Sequence, residues 1–155
     1  MDTKDSQGKV DEKKLMDLHV KMTELEQLEL NRQREELPRS KTETEYRQFF
    51  EKEKELMLLI QDSIIVRANA KIEEISGYAV EELIGTEFML YVHPDELPTI
   101  MEIYRDRMEG KEAPIVYETV IKHKNGEDIR IEAIAAKVTY HGNPADLVIV
   151  KKLNG

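Results

Sequence analysis

The chain has 155 residues, a formal net charge of -9, and neither cysteine nor tryptophan. That length suits one domain of ~100–150 residues with an extension, and the acidic balance argues against a duplex nucleic-acid binder, which needs a basic face to release counterions. Without thiols there are no disulfides, thiolate metal sites or cysteine nucleophiles, and no apolar run approaches the ~18 residues of a membrane helix or forms a signal peptide.

Residues 1–45 are rich in Lys, Glu, Gln and Leu, whereas every aromatic residue lies between Tyr46 and Tyr140. The expected division is a disordered tail over 1–10, an amphipathic helix over 11–38, and a domain with its leading helix over 39–155. Leu15, Leu18, Met22, Leu25 and Leu28 recur in steps of 3, 4, 3 and 3. The first four fit an a/d seam, which fails at Glu29 and Arg32, short of three clean heptads. Two readings stand: a coiled-coil helix that dimerises, or a single amphipathic helix, lying on its own domain or only partly formed.

Pro38 breaks this helix, and Ser40 with Glu43 forms a capping-box pattern for another, whose Tyr46, Phe49, Phe50 and Leu56 share one side. Leu56–Ile60 and Ser63–Arg67 flank the polar pair Gln61-Asp62 and read as a tight hairpin. From Asn69 to Gly85 the pattern is two short helices, with Asn69 as N-cap and Gly77 and Gly85 as left-handed terminal residues. An apolar-aromatic stretch over Thr86–Val92 leads to His93-Pro94-Asp95-Glu96-Leu97. A helix beginning near Asp95 accommodates Pro98 in its first turn. It turns Leu97, Ile100 or Met101, Tyr104 and Met108 inward and stops at Gly110.

Ile115–Lys122 and Ile129–Tyr140 flank Asn125-Gly126, a strong hairpin signal. A second turn, His141-Gly142-Asn143-Pro144, leads to Leu147–Val150. The order is two strands, four helical pieces and three strands. In such an α+β chain the first hairpin must join the last three strands, or apolar edges stay unpaired.

The run Asn69-Ala70-Lys71-Ile72-Glu73-Glu74-Ile75-Ser76-Gly77-Tyr78-Ala79-Val80-Glu81-Glu82-Leu83-Ile84-Gly85 resembles a signature of PAS sensory domains. Tyr-Val-His-Pro-Asp-Glu at 91–96 and Lys122-His123-Lys124-Asn125-Gly126-Glu127 resemble two further motifs of that family, in the same order. The resemblance spans residues 46–150. It implies a five-stranded antiparallel sheet with short helices on one face, preceded here by the helical extension. It also implies a cytoplasmic signal-transduction module, of the kind found in histidine kinases of two-component systems, cyclases and transcriptional regulators. The end of the last strand departs from the Asp-Ile-Thr of many members, which directs the expected output to the N-terminal helix. Relatives with cysteinyl-flavin chemistry use a cysteine that this chain lacks, and haem-binding relatives carry a histidine where Thr99 stands. Neither chemistry is expected, and the cofactor is left open.

Met89, Tyr91, Met101, Tyr104 and Tyr117 are the candidates to line a small-ligand pocket, since methionine adapts its shape to a deformable cavity. The competing reading is ordinary core filling. Leu18, Met22, Leu25, Phe49 and Phe50 are the candidates for a dimer and output surface. His93 reads as a residue near a helix cap rather than a metal ligand, because no second histidine stands at ligand spacing. Glu118 and Glu132 lie in strands, facing each other or a basic neighbour. No nucleophile, oxyanion motif or phosphate loop accompanies any of the carboxylates, so no enzyme activity is expected. Two functions follow: a sensor that binds a small molecule or relays a signal through a dimerising helix to a partner or effector domain, or a ligand-free dimerisation adaptor. Neither involves nucleic acid or membrane.

Overall fold

The computed structural model describes residues 3–34 and 40–153, with side chains over 12–34 and 42–153. The break expected at Pro38 and the Ser40 side chain of the expected capping box lie outside these residues. Helix α1 runs Thr3–Arg34, its backbone reaching back beyond the apolar pattern, and α2 runs Ser40–Lys52. Glu43, expected to close a capping box, instead pairs with Arg67 of the first hairpin.

Strands β1 (Leu56–Gln61) and β2 (Ile64–Ala68) form that hairpin. Its turn residues Asp62 and Ser63 both have positive φ, 53° and 67°, the primed-turn geometry that matches strand twist. Helices α3 (Lys71–Ser76) and α4 (Val80–Leu83) follow, then two 3-10 turns, Phe88–Tyr91 and Pro94–Glu96, and α5 (Leu97–Met108). Strands β3 (Val116–Lys122), β4 (Asp128–Tyr140) and β5 (Asn143–Lys152) complete the chain. The expected turn at 141–144 is tighter than its composition suggests. His141 and Gly142 alone make it, at φ 50° and 79°, and Asn143 and Pro144 already pair with β4.

The sheet is antiparallel throughout, in the order β2-β1-β5-β4-β3. Its closure comes from β1 against β5, from Leu56 opposite Val150 to Ile60 opposite Asp146. Side chains alternate across a strand, so β1 serves two cores. Leu56 and Ile60 pack with Ile72 and Leu83 under the short helices, while Met57 and Leu59 pack on the opposite face with α1 and α2.

That second face carries the residues named for a dimer and output surface, and α1 lies on its own domain. Met22 and Leu25, the heart of the proposed dimer seam, are 1% exposed against the chain's own sheet, and Leu18 packs beside them. Phe49 and Phe50 lie in the same cluster, with Val138, Tyr140 and Leu147 beneath. Full burial of a Leu, Met or Phe side chain is worth ~1.5–3 kcal/mol, so this face is a true second core. The seam failed after Leu25 because the following inward positions serve polar contacts. Glu26 accepts hydrogen bonds from the backbone N–H groups of His141 at 3.1 Å and Gly142 at 2.7 Å. Glu29 meets His141 Nδ1 at 2.7 Å, and Arg32 reaches Thr42 and Glu45 on α2.

Candidate functional site: an internal cavity under the short helices

Asn69 organises the approach to the site and is not the N-cap that its position before α3 suggests. Residue Ala70 occupies the cap, with no side-chain cap bond. Asn69 is 2% exposed. Its Nδ2 donates to the carbonyls of Phe50 at 3.1 Å and Glu55 at 2.8 Å, and its Oδ1 accepts from Met57 N–H at 3.3 Å. The side chain therefore ties the end of α2 to the start of β1, sharing the Phe50 carbonyl with Glu53 N–H and taking the Glu55 carbonyl just before β1. Gly77 closes α3 at φ 78° as expected, and a Cβ there would stand 2.4 Å from the His123 ring. This close approach lets the β3–β4 turn fold over α3. Lys124 N–H donates to Ser76 O, and its ammonium reaches Glu82 and the Tyr78 face.

Between these helices and the inner face of the sheet lies a cavity of about 90 Å³. Its walls are mainly apolar: Leu56, Leu58 and Ile60 from β1, Val148 and Val150 from β5, and Ile72, Leu83 and Ile100 from the helices. Of the candidate pocket residues, Tyr91, Tyr104 and Tyr117 line it. Met89 and Met101 do not; Met101 is 45% exposed and Ile100, 4% exposed, takes the inward place. Helical periodicity left those two neighbours undecided, and packing against the sheet selected the β-branched one.

The polar groups are few. Tyr104 Oη accepts from Ser63 N–H at 2.9 Å, Tyr91 Oη contacts Thr86 Oγ1 at 2.8 Å, and Ser76 Oγ donates to Ile72 O. Thr119 Oγ1 is buried without a partner. Asp146, 3% exposed, is the one acidic residue on the wall. Its Oδ1 lies 3.1 Å from Arg107 Nε, yet neither atom completes an aligned hydrogen bond. Burial pushes the Asp146 carboxyl up to about 7, and the Arg107 guanidinium opposes that rise. Burial likewise pushes the Tyr117 hydroxyl up to about 12. The sequence reading missed Asp146 and Arg107. Their signals were a lone charge inside Ala145–Val150 and an arginine seven residues after Ile100, on the buried side of α5.

His93 Nδ1 accepts from Asp95 N–H at 3.0 Å at the turn leading into α5. No group of three or more potential ligands among the described residues could hold a metal ion. Glu118 stands opposite Glu132 in the β3–β4 register, with Arg130 3.3 Å from Glu118. No helix of the described residues is long and apolar enough to cross a membrane.

The family model of the PAS fold matches residues 65–150, more than half of the chain. The chain belongs to the PAS family. Solved structures agree with the architecture. The PAS domain of a Desulfitobacterium hafniense protein is 21% identical with TM-score 0.61, covering 68% of this chain and 99% of its own. A PAS domain of a two-component sensor histidine kinase is 14% identical with TM-score 0.59, covering 74% and 99%. The PAS domain of a LuxR-family transcriptional regulator from Burkholderia thailandensis, in complex with ethanol, is 20% identical with TM-score 0.57, covering 71% and 98%. At these identities the likeness is one of fold. Comparison with curated proteins returns no significant match.

Proposed function

We propose that this chain is a sensory PAS module that binds a small molecule of a few heavy atoms in the internal cavity and passes its occupancy to α1 and α2. The cavity carries the reading. It is mostly apolar and about 90 Å³ in volume, comparable with engineered cavities of ~150 Å³ that take up benzene or xenon and well below the ~300–1,000 Å³ of drug-sized sites. The ethanol complex of the Burkholderia thailandensis relative supports a ligand of that size, and the histidine-kinase relative supports a signalling role. The sheet supplies the route, because Val148 and Val150 line the cavity while Leu147, between them and Asp146, packs toward α1 and α2. The activity is binding, not catalysis, and the cysteine-free composition suits the cytoplasm.

Native mass spectrometry of protein purified from cells, before and after denaturation, tests this. A small molecule released at one per chain is the expected result. A chain that carries nothing and gains no thermal stability from a library of small neutral compounds would favour the adaptor reading. That second reading rests on α1, where Met16 is 61% and Val20 55% exposed on the side facing away from the sheet core.

A further inference from the structure

Two buried polar atoms on the cavity wall have no hydrogen-bond partner, Thr119 Oγ1 and Asp146 Oδ1. They cannot serve one small ligand together. Thr119 stands opposite Ile131 and Asp146 opposite Lys137 on β4, a separation of about 20 Å along the strand. The two sites also differ in what leaving them unserved costs. An unpaired hydroxyl forfeits a neutral hydrogen bond, whereas an ionised carboxylate buried without aligned donors carries a larger desolvation penalty.

Beside Asp146 Oδ1 lies a second orphan, Arg107 Nε, 3.1 Å away. Oδ1 lacks an aligned donor and Nε–H an aligned acceptor, while Arg107 Nη2 donates to the Pro114 carbonyl at 3.0 Å. Above its raised pKa of about 7 the Asp146 carboxyl is ionised and the pair is neutral as a whole, so a ligand charge of either sign would be repelled by one member. A hydroxyl both donates and accepts, and it carries no charge. Ile60 directly opposite Asp146 and Val148 two residues on are apolar and line the same cavity.

We propose that Asp146, positioned by Arg107, is the recognition point of the cavity, and that its ligand is a small neutral alcohol with its hydroxyl on Oδ1 and its carbon chain against Ile60 and Val148. This inference rests on the sensor reading and specifies its ligand class. Tyr104 and Tyr117 complete the surroundings: both titrate under the field of Asp146, and burial holds both protonated.

The test pairs xenon, which reports an accessible apolar cavity, with 1-propanol, on the wild-type chain and on the double substitution Arg107→Met with Asp146→Leu. Replacing both members of a buried pair by apolar residues is often tolerated. The expected result is xenon binding in both proteins, with 1-propanol weakened about tenfold or more in the variant, the loss of a hydrogen bond to a charged group. Equal 1-propanol affinity in the two proteins overturns the inference and leaves the cavity reading intact. Xenon uptake without alcohol binding in the wild type also overturns it, with water alone serving Oδ1. Failure of the wild type to take up xenon defeats the sensor reading itself. Methyl NMR on the wild type decides the point even if the variant does not fold. Shifts on adding 1-propanol should centre on Ile60 and Val148, and shifts confined to Ile121 and Ile131 would place the alcohol at Thr119 instead.

Discussion

Asn69 shows how one side chain can outweigh its local signal. A residue of this type before a short helix is ordinarily a cap, but here its amide satisfies two carbonyls and one N–H on other elements. Each of those partners is left short of a bond if the amide is removed, and buried groups without partners are costly. Asn69→Ala should therefore destabilise the domain by about 2–4 kcal/mol in urea unfolding. Asn69→Asp should do no better at neutral pH, because an ionised carboxylate has no donor for the Phe50 and Glu55 carbonyls. A loss below ~1 kcal/mol for both would show that water replaces the amide without penalty. Tyr46 illustrates the same scale on the other face. Burial first, then the nearby Glu26 and Glu29 carboxylates, drive its hydroxyl far above the ordinary value.

At the level of elements, α1 is held by apolar packing and by a set of polar contacts together. Beside the inward Leu15, Met22 and Leu25, Glu26 anchors the helix by accepting from the two N–H groups of the β4–β5 turn and from Tyr46 Oη at 3.4 Å. Lys14 adds an ion pair with Glu53 just beyond α2. Local opening is governed by how few such contacts hold an element. Glu26→Ala should raise hydrogen exchange across α1 while the β1–β5 and β4–β5 ladders stay protected, with docking weakened by about 1.5–3 kcal/mol. If the ladders lose protection in step with α1, the helix has no docking equilibrium of its own and is a poor candidate for an output arm.

For the whole molecule, the docking of α1 changes which surface a second copy could use. The inward residues are occupied, but Met16, Val20, Thr23, Gln27 and Leu30 are all exposed and follow steps of 4, 3, 4 and 3, which is heptad spacing. A homodimer built on α1 would pair through this outward stripe. Val20→Glu should then halve the mass measured by light scattering, with the fold unchanged because Val20 is 55% exposed. A dimer that survives Val20→Glu must be held elsewhere. Leu18→Glu is the less specific probe, since it would also disturb packing against the sheet.

Local chemistry made much of this protein legible. Chain-order patterning predicted five strands in an α+β arrangement, since alternating apolar runs, a glycine after each short helix and Asn125-Gly126 each act over a few residues. Tyr91, Tyr104 and Tyr117 were within reach because an aromatic body favours apolar cover while its hydroxyl needs a partner. Which of Ile100 and Met101 faces inward, whether Leu18, Met22 and Leu25 meet a partner or their own sheet, and what Asn69 caps were decided only by tertiary structure. The physical reason is common to all three. A side chain's donor, acceptor or apolar surface is set by its chemistry, but its partner is set by whichever distant element the completed sheet brings within a few ångströms. Asp146 and Arg107, 39 positions apart in the chain, meet for that reason alone.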